Sequence, residues 1–489
     1  MEEFFLSFSN TVSLERSDEG KVALRSRQLN LDLSKFSPGL LAAIELLSTG
    51  TTENAMADRL TEIEGSNTLP HLYYYLTQMT QLGLICHTIR ADDRPLATLI
   101  PLATPYNLQL AESPPTGQYR LSRFACCHSG NQQLIWESPL FPGQIQLGGW
   151  HGAALLNQLS QTQSVRDLQA QIPGLSLETI QLFINLLLGA KILGEVQKDN
   201  SLPEDDNDTL AQWEFHDLLF HSRSRAGRHG NPLGKSYRFL DKIDPLPAVK
   251  PKVSDDIIEL YKPDIPALIQ QDKSFTRILE QRQSLRAYDE VPISDRQLGE
   301  FLYRCARVRH IFSKDSRECS NRPYPGGGAA YELELYLTIQ ACQNIDPGLY
   351  HYCPQDHQLC RLPASDKHCA ALLKSAGGAT GQSITPQVLI TLVSRFPRIS
   401  WNYEAVAYSL TLKHVGVLYQ TMYLVATAMD LAPCGIGAGN SDLFAIASGI
   451  DYYAETAVGE FILGSKPRSK QDSHRIAFDQ LSWSERAVH

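Results

Sequence analysis

The chain has 489 residues, 43% of them hydrophobic and 20% charged, with a formal net charge of −9. That length exceeds one ordinary core and predicts about two to four domains. The acidic balance argues against a nucleic-acid surface, no run approaches the ~18 apolar residues that span a bilayer, and the acidic start Met1-Glu2-Glu3 is no secretory signal, so a cytoplasmic chain is expected.

The first ~200 residues read as a diverged repeat, by pattern. The first copy opens with strand-like Val22–Ser26 and Leu29–Leu33. Leu40–Leu47, a Thr/Glu-rich turn and an apolar helix over His71–Leu82 follow, closing on Gly83-Leu84-Ile85. The second copy has strand-like Tyr119–Phe124 and Gln133–Trp136, then Ala153–Leu159, Ser164–Leu168 and a helix over Leu177–Leu188, closing on Gly189–Leu193. Strand pair, helix, helix, longer helix and closing strand is the order of a winged helix. Apolar residues recur at helical spacing in both third helices: Leu72, Leu76, Met79 and Leu82, then Leu177, Ile180, Ile184 and Leu187. Neither Leu69–Leu84 nor Ser176–Ala190 contains Lys or Arg. DNA readout needs those residues for phosphates and guanine edges, so the modules are read as capturing peptide, or as only a scaffold. The ten cysteines are scattered without a CxxC. Cys126-Cys127-His128 is the one cluster, and no second ligand pair follows at zinc spacing. Reduced thiols and no metal are expected.

Residues 198–210 are polar and acidic and read as a linker. His216, His221, Ser222 and Arg223 follow, and then Pro245, Pro247, Pro251, Pro263 and Pro266, which suggest an extended strap. The expected division is 1–110 and 111–197 (winged-helix-like modules), 198–274 (linker and strap), 275–465 (C-terminal domain) and 466–489 (tail).

The C-terminal domain carries the chemistry. Arg282, Ser284 and Arg286 alternate, which places three anion-binding groups on one side of a segment. Ser294-Asp295 is a candidate N-cap for the helix carrying Leu298, Phe301 and Leu302. Pro325, Gly326, Gly327 and Gly328 let the backbone approach a flat ligand closely. Gly348–Tyr352 reads as a turn entering a strand, and Gln387–Ser394 as a central strand. Arg395, Arg398, Trp401, Asn402 and Tyr403 come next, then a long apolar helix from about Tyr408 to Met429, ended by Pro433 and Gly435. Gly435-Ile436-Gly437 is a second glycine turn, Gly459–Gly464 the last strand, and Lys466 and Arg468 are basic residues beyond it. Gly435, Gly437 and Gly439 do not make a dinucleotide fingerprint, because a helix rather than a strand is expected before them.

The order and spacing of these segments, over about Trp213–Gly464, resemble the SagB-type azoline dehydrogenases of the nitroreductase superfamily, of the cyanobactin oxidase kind. The resemblance implies an α+β chain. Two winged-helix-like modules precede a nitroreductase-like FMN domain with a central mixed sheet flanked by helices. It implies that Arg282, Ser284 and Arg286, with Lys466 or Arg468, hold the FMN phosphate. Pro325, Gly326, Gly327, Gly435, Ile436 and Gly437 would lie against the flavin. The implied reaction is dehydrogenation of thiazoline or oxazoline rings in a ribosomally made precursor peptide, with O2 as final acceptor. A homodimer with FMN at its interface and a cyclodehydratase partner are implied too. In many relatives a Lys-Tyr pair follows the tryptophan; here the pair is Asn402-Tyr403. Tyr403 is then the expected proton-handling group, helped by a nearby cation such as Arg398 or by the flavin itself, with Asn402 for placement. Lys413 replaces the lost lysine only if the helix starts late, since on one continuous helix it lies ~16 Å from Asn402. The rival readings are an NAD(P)H-dependent nitro or quinone reductase and an FMN-sensing winged-helix regulator.

Overall fold

The structure is a computed structural model that describes residues 3–16, 22–26, 29–130, 132–381 and 384–467. The chain divides into two compact units, Met1–Pro232 and Leu233–His489.

The first unit begins with strands β1 (Phe5–Phe8), β2 (Ser13–Arg16), β3 (Val22–Arg25) and β4 (Asn30–Asp32). Helix α1 (Pro38–Glu45), strand β5 (Thr51–Thr52), helices α2 (Glu53–Glu64) and α3 (Leu69–Gln81), and strands β6 (Ile85–Ala91) and β7 (Arg94–Pro101) complete its first module. The expected Thr/Glu-rich turn is in fact α2. The Thr52 side chain caps it by accepting the Ala55 N–H, and Met56 and Leu60 anchor it in the core. The closing strand expected after Gly83 is a full hairpin, β6–β7. Asp92 and Asp93 both adopt positive φ at its tip, as a two-residue type I′ turn demands.

The second module has strands β8 (Gln118–Leu121), β9 (Cys126–Gly130), β10 (Gln133–Glu137) and β11 (Gly143–Leu147), helix α4 (Trp150–Gln158), strand β12 (Gln163–Ser164), helices α5 (Val165–Gln171) and α6 (Leu177–Gly189), and strand β13 (Leu193–Glu195). Its two expected strands do not pair with each other. β8 joins β12 and β13, whereas β10 joins a seven-stranded sheet of order β5-β1-β6-β7-β11-β10-β9 that runs through both modules. The two modules therefore share a sheet, each keeping its own core around α3 or α6. Helix α7 (Phe215–Arg223) follows the acidic segment, and Arg223 pairs with Glu137 at 2.6 Å.

The second unit opens with the proline-rich strap, strand β14 (Ile257–Glu259), and helices α8 (Ile265–Gln271), α9 (Phe275–Gln281) and α10 (Asp295–Ala306). Ser294 caps α10 reciprocally with Gln297. A hairpin, β15 (His310–Lys314) and β16 (Arg317–Asn321), precedes β17 (Leu333–Ile339), β18 (Gly348–Cys353), β19 (Gln358–Leu362), helix α11 (Asp366–Gly378) and β20 (Val388–Arg395). Helices α12 (Phe396–Ser400) and α13 (Ala407–Ala428), strand β21 (Leu431–Ile436), helix α14 (Ser441–Ser448) and strand β22 (Glu455–Ser465) complete it. The sheet order is β14-β19-β18-β17-β20-β22-β21. Where a mixed sheet was expected, each of these pairs is antiparallel. The central strands β17 and β20 are buried along their whole length, because helices such as α10 and α13 on one side and α11 and α14 on the other supply separate cores.

No helix among the described residues is long and apolar enough to cross a membrane. The cysteines are all free thiols, and all but Cys126 and Cys127 are buried.

Candidate active site

The β17–β20 register assembles the first half of the site. Leu333 faces Ser394 in that ladder, so the chain entering β17 and the chain leaving β20 emerge at the same sheet end. The entering chain is the glycine turn and the leaving chain runs through Trp401 to Tyr403. Gly328 has φ +59°, and a Cβ there would stand 2.8 Å from the Tyr403 hydroxyl, 3.1 Å from an Arg317 nitrogen and 3.6 Å from the Asn402 amide. Only glycine permits that approach. Pro325 is exposed and Gly326 extended, with φ −142°. The Gly327 N–H donates to Nε2 of His414 at 2.7 Å, which leaves Nδ1–H to donate to the buried Glu332 carboxylate, also at 2.7 Å.

The strap pins the same segment. Gly234 bridges Tyr403, the Trp401 indole donates to the Ile243 carbonyl at 2.7 Å, and a Cβ on Gly234 would collide with the Tyr403 ring at 2.3 Å. Arg398 is not the cation expected beside Tyr403. Its guanidinium is spent on the carbonyls of Ala330, Leu246 and Glu318. Burial, then the charges of Arg395 and Arg317, push it down to about 10. Arg317 takes that place. It is 5% exposed, donates to the Gly328 carbonyl at 2.7 Å and, among the described residues, keeps Nε and one terminal nitrogen without a partner. Asn402 is 2% exposed with an unpaired Oδ1.

Helix α13 begins at Ala407, after Asn402 and Tyr403. The continuous helix on which Lys413 would stand ~16 Å from Asn402 is therefore absent. Lys413 is exposed, while its neighbour His414 is buried against the glycine turn.

The second half of the site lies further along α13. The Tyr423 hydroxyl accepts the Gly435 N–H at 2.7 Å and stands 2.7 Å from Ser284 Oγ. The Arg282 guanidinium lies 5.3 Å over the Tyr423 ring, and the Leu285 N–H donates to the Pro433 carbonyl. Arg282, Ser284 and Gly435 are thereby brought together by a residue the sequence reading did not single out. Arg286 is exposed, and among the described residues neither it nor Arg282 has a carboxylate within ion-pair distance. Lys466 instead pairs with Asp430, which also binds Lys273. Arg468 lies outside the described residues. Gly435 and Ile436 do not form a turn after a helix. They end strand β21, and Gly437 follows it. A strand, not the expected helix, leads into this glycine run, yet the dinucleotide fingerprint still fails, because β21 is an antiparallel edge strand and not the first strand of a parallel βαβ unit.

Beside this second glycine run, the Glu460 carboxyl occupies the space a Gly439 side chain would need. Burial raises it from 4.5 to about 7. A raised carboxyl favours the folded state most below its unfolded value and loses that contribution as pH rises through about 7. Glu460→Gln should therefore match wild type near pH 4 and exceed it above pH 7, by at most ~3 kcal/mol. Melting temperatures across that range check this, and parallel curves for the two proteins would refute it.

An antiparallel sheet packed by a long central helix, with two glycine runs and a basic segment gathered along that helix, defines an oxidoreductase domain of the nitroreductase class. Comparison with known families agrees. Residues 279–464 match the nitroreductase family, residues 119–230 the cyanobactin oxidase ThcOx, and residues 1–110 the ThcOx helix-turn-helix domain. The three matches follow one another in the domain series of the ThcOx oxidases, so the C-terminal domain matches the nitroreductase family and the chain as a whole is similar to the SagB-type members of that superfamily.

Among curated proteins, a Methanocaldococcus jannaschii protein named as a nitroreductase, MJ1384, is 27% identical over 186 residues, 37% of this chain and 85% of that one. The microcin B17-processing protein McbC of Escherichia coli is 28% identical over 127 residues, 25% of this chain; the match spans 46% of McbC. Solved structures with a similar chain include one described as a nitroreductase from Ralstonia eutropha, with TM-score 0.36 and 20% identity over 49% of this chain and 98% of that one. Another is the E. coli McbBCD complex with truncated pro-MccB17 bound, with TM-score 0.34 and 18% identity over 50% and 90%.

Proposed function

We propose that this chain is an FMN-dependent azoline oxidase. It dehydrogenates thiazoline and oxazoline rings in a ribosomally made precursor peptide to thiazoles and oxazoles, with O2 as the final acceptor. The observation that carries the reading is the layout of α13. His414 holds the Gly326–Gly328 turn, and nine residues on, ~14 Å along the axis, Tyr423 holds Ser284 and Gly435. That arrangement suits a flat ring at one end and a phosphate at the other.

The residues fit FMN. Among the described residues Arg282 and Arg286 are cations without a carboxylate partner, and guanidinium forks match phosphate oxygens. If the Tyr423 hydroxyl donates to Ser284 Oγ, the Ser284 O–H is left to donate as well. When bound, FMN supplies the two-electron acceptor. Tyr403 takes the ring proton, Asn402 orients the substrate, and Arg317 sets a positive charge beside the reacting hydroxyl. The N-terminal modules hold the precursor and raise its concentration at the site. A homodimer completes the flavin site, and a cyclodehydratase supplies the azoline.

The deciding experiment is mass spectrometry of an azoline peptide incubated with the protein. Loss of two hydrogens per ring is expected. NADPH consumption with a nitroarene and an unchanged azoline would favour the reductase reading instead. Arg286→Ala bears on the cofactor half: being exposed, Arg286 should cost little stability, within ~0.5 kcal/mol, while the FMN retained on purification, read from flavin absorbance, falls clearly. Unchanged flavin content would remove Arg286 from the phosphate site.

A further inference from the structure

The two third helices lack Lys and Arg, and both line one cavity. α3 contributes Tyr73, Leu76 and Thr77, and α6 contributes Glu178, Gln181 and Leu182, to a space of about 880 Å³ within the first unit. Pockets of this size hold drug-sized ligands or short peptide segments. Glu3, Glu53, Glu112 and Glu178 all line it, and none of its described lining residues is Lys or Arg. Burial, then the Glu3 carboxylate, raises Glu53 above its ordinary range, so this rim gains from an approaching cation.

Carboxylates on a surface are ordinarily a solvated face. The wall beneath them is different. Among the described residues, His87 is 7% exposed and its Nδ1 has no partner; Tyr106 is fully buried and its hydroxyl has none. Both line the same cavity. Burial holds His87 at about 4, so the imidazole is neutral at pH 7 and offers hydrogen bonding without charge. Unpaired polar groups in such a wall are costly unless a ligand completes them. The ligand must bring positive charge for the rim, apolar surface for Phe4, Leu76 and Leu182, and hydrogen-bonding groups for the wall.

We infer that this cavity binds a basic, amphipathic peptide segment, with a lysine or arginine at the carboxylate rim, an apolar neighbour against α3 and α6, and backbone amides toward His87 and Tyr106. The inference deepens the proposed function and rests on its peptide-substrate reading. Acidic segments and nucleic acids are excluded from the cavity by its charge.

The test uses the full-length protein and two fluorescein-labelled synthetic peptides, one alternating Leu and Lys, the other alternating Leu and Glu. Fluorescence anisotropy should show saturable binding of the Leu/Lys peptide and none of the Leu/Glu peptide. The double variant Glu53→Gln/Glu178→Gln should weaken that binding at least ~tenfold, and both substituted positions are exposed, so its melting temperature should hold. Equal binding of the two peptides, or equal binding by variant and wild type, would overturn the inference. So would displacement of the Leu/Lys peptide by phenethylammonium at matching concentration, which would assign the site to free amines. Oxidation of a short azoline peptide is measured alongside. If neither protein oxidises it while the binding difference persists, the oxidase reading falls and the cavity assignment stands.

Discussion

Tyr403→Phe is expected to leave folding and FMN content intact and to slow single-turnover flavin reduction by an azoline peptide by ~10²–10⁴-fold, the usual contribution of a positioned general base. The substitution keeps the ring that packs on Gly234 and removes only the hydroxyl that faces Gly328. A reference phenol titrates near ~10 and works as a base best with a cation close by. Arg317 is such a cation, since its terminal nitrogen and the Tyr403 hydroxyl both lie within 3.1 Å of where a Gly328 Cβ would be. Lys413→Ala is the control. Lys413 is exposed, and its neighbour His414 is the residue of that helix turn that meets Gly327, so turnover should change little. A near-wild-type Tyr403→Phe with an inactive Lys413→Ala would transfer the proton step to Lys413.

Segments with a strong period were legible in the sequence. The third helices, the long helix from Ala407 and the buried strand Val388–Arg395 lie within about two residues of their expected bounds, because apolar spacing sets them directly. α2 was missed because only Met56 and Leu60 mark its buried face, so its helix-favouring Ala and Glu residues looked like a turn. The β6–β7 hairpin was missed because its tip is Asp92-Asp93 rather than an Asn-Gly pair. Sheet membership was illegible: nothing local to Tyr119–Phe124 and Gln133–Trp136 says that they enter different sheets.

The site shows the same division. Glycines and alternating arginines stand out in one dimension. The residues that join them, Tyr423, His414, Glu332 and Arg317, do not, since each acts through a partner at least eleven residues away. A histidine and tyrosines on the inner side of an apolar helix were the available signal. Their plain reading is core, and partly that is what they are.

Glu334→Gln is expected to cost ~3–5 kcal/mol of stability at pH 7, the usual loss when one partner of a buried ion pair is removed. Glu334 is 1% exposed, with Arg395 at 3.3 Å and the His351 Nε2–H donating at 3.1 Å. Burial alone would raise its carboxyl; the His351 hydrogen bond and the surrounding positive charge outweigh it and hold the group at about 2, against 4.5 unfolded. A depressed carboxyl stabilises the fold above its unfolded value and loses that contribution as pH falls toward about 2. The wild type should thus shed ~3 kcal/mol across that window, while Glu334→Gln, already lacking the charge, should show a flatter acid limb. Urea midpoints at stepped pH separate the two curves. Glu334 lies on β17 opposite Val393 of β20, within the ladder that carries the glycine turn at one side of its end and Asn402-Tyr403 at the other. Among the described residues its hydrogen bonds and ion pairs go to His351 and Arg395 and not to either segment. Below its melting transition the variant should therefore keep single-turnover rates near wild type. A variant that stays folded yet loses turnover as Tyr403→Phe does would show that the ion pair acts on the chemistry and not only on the ladder.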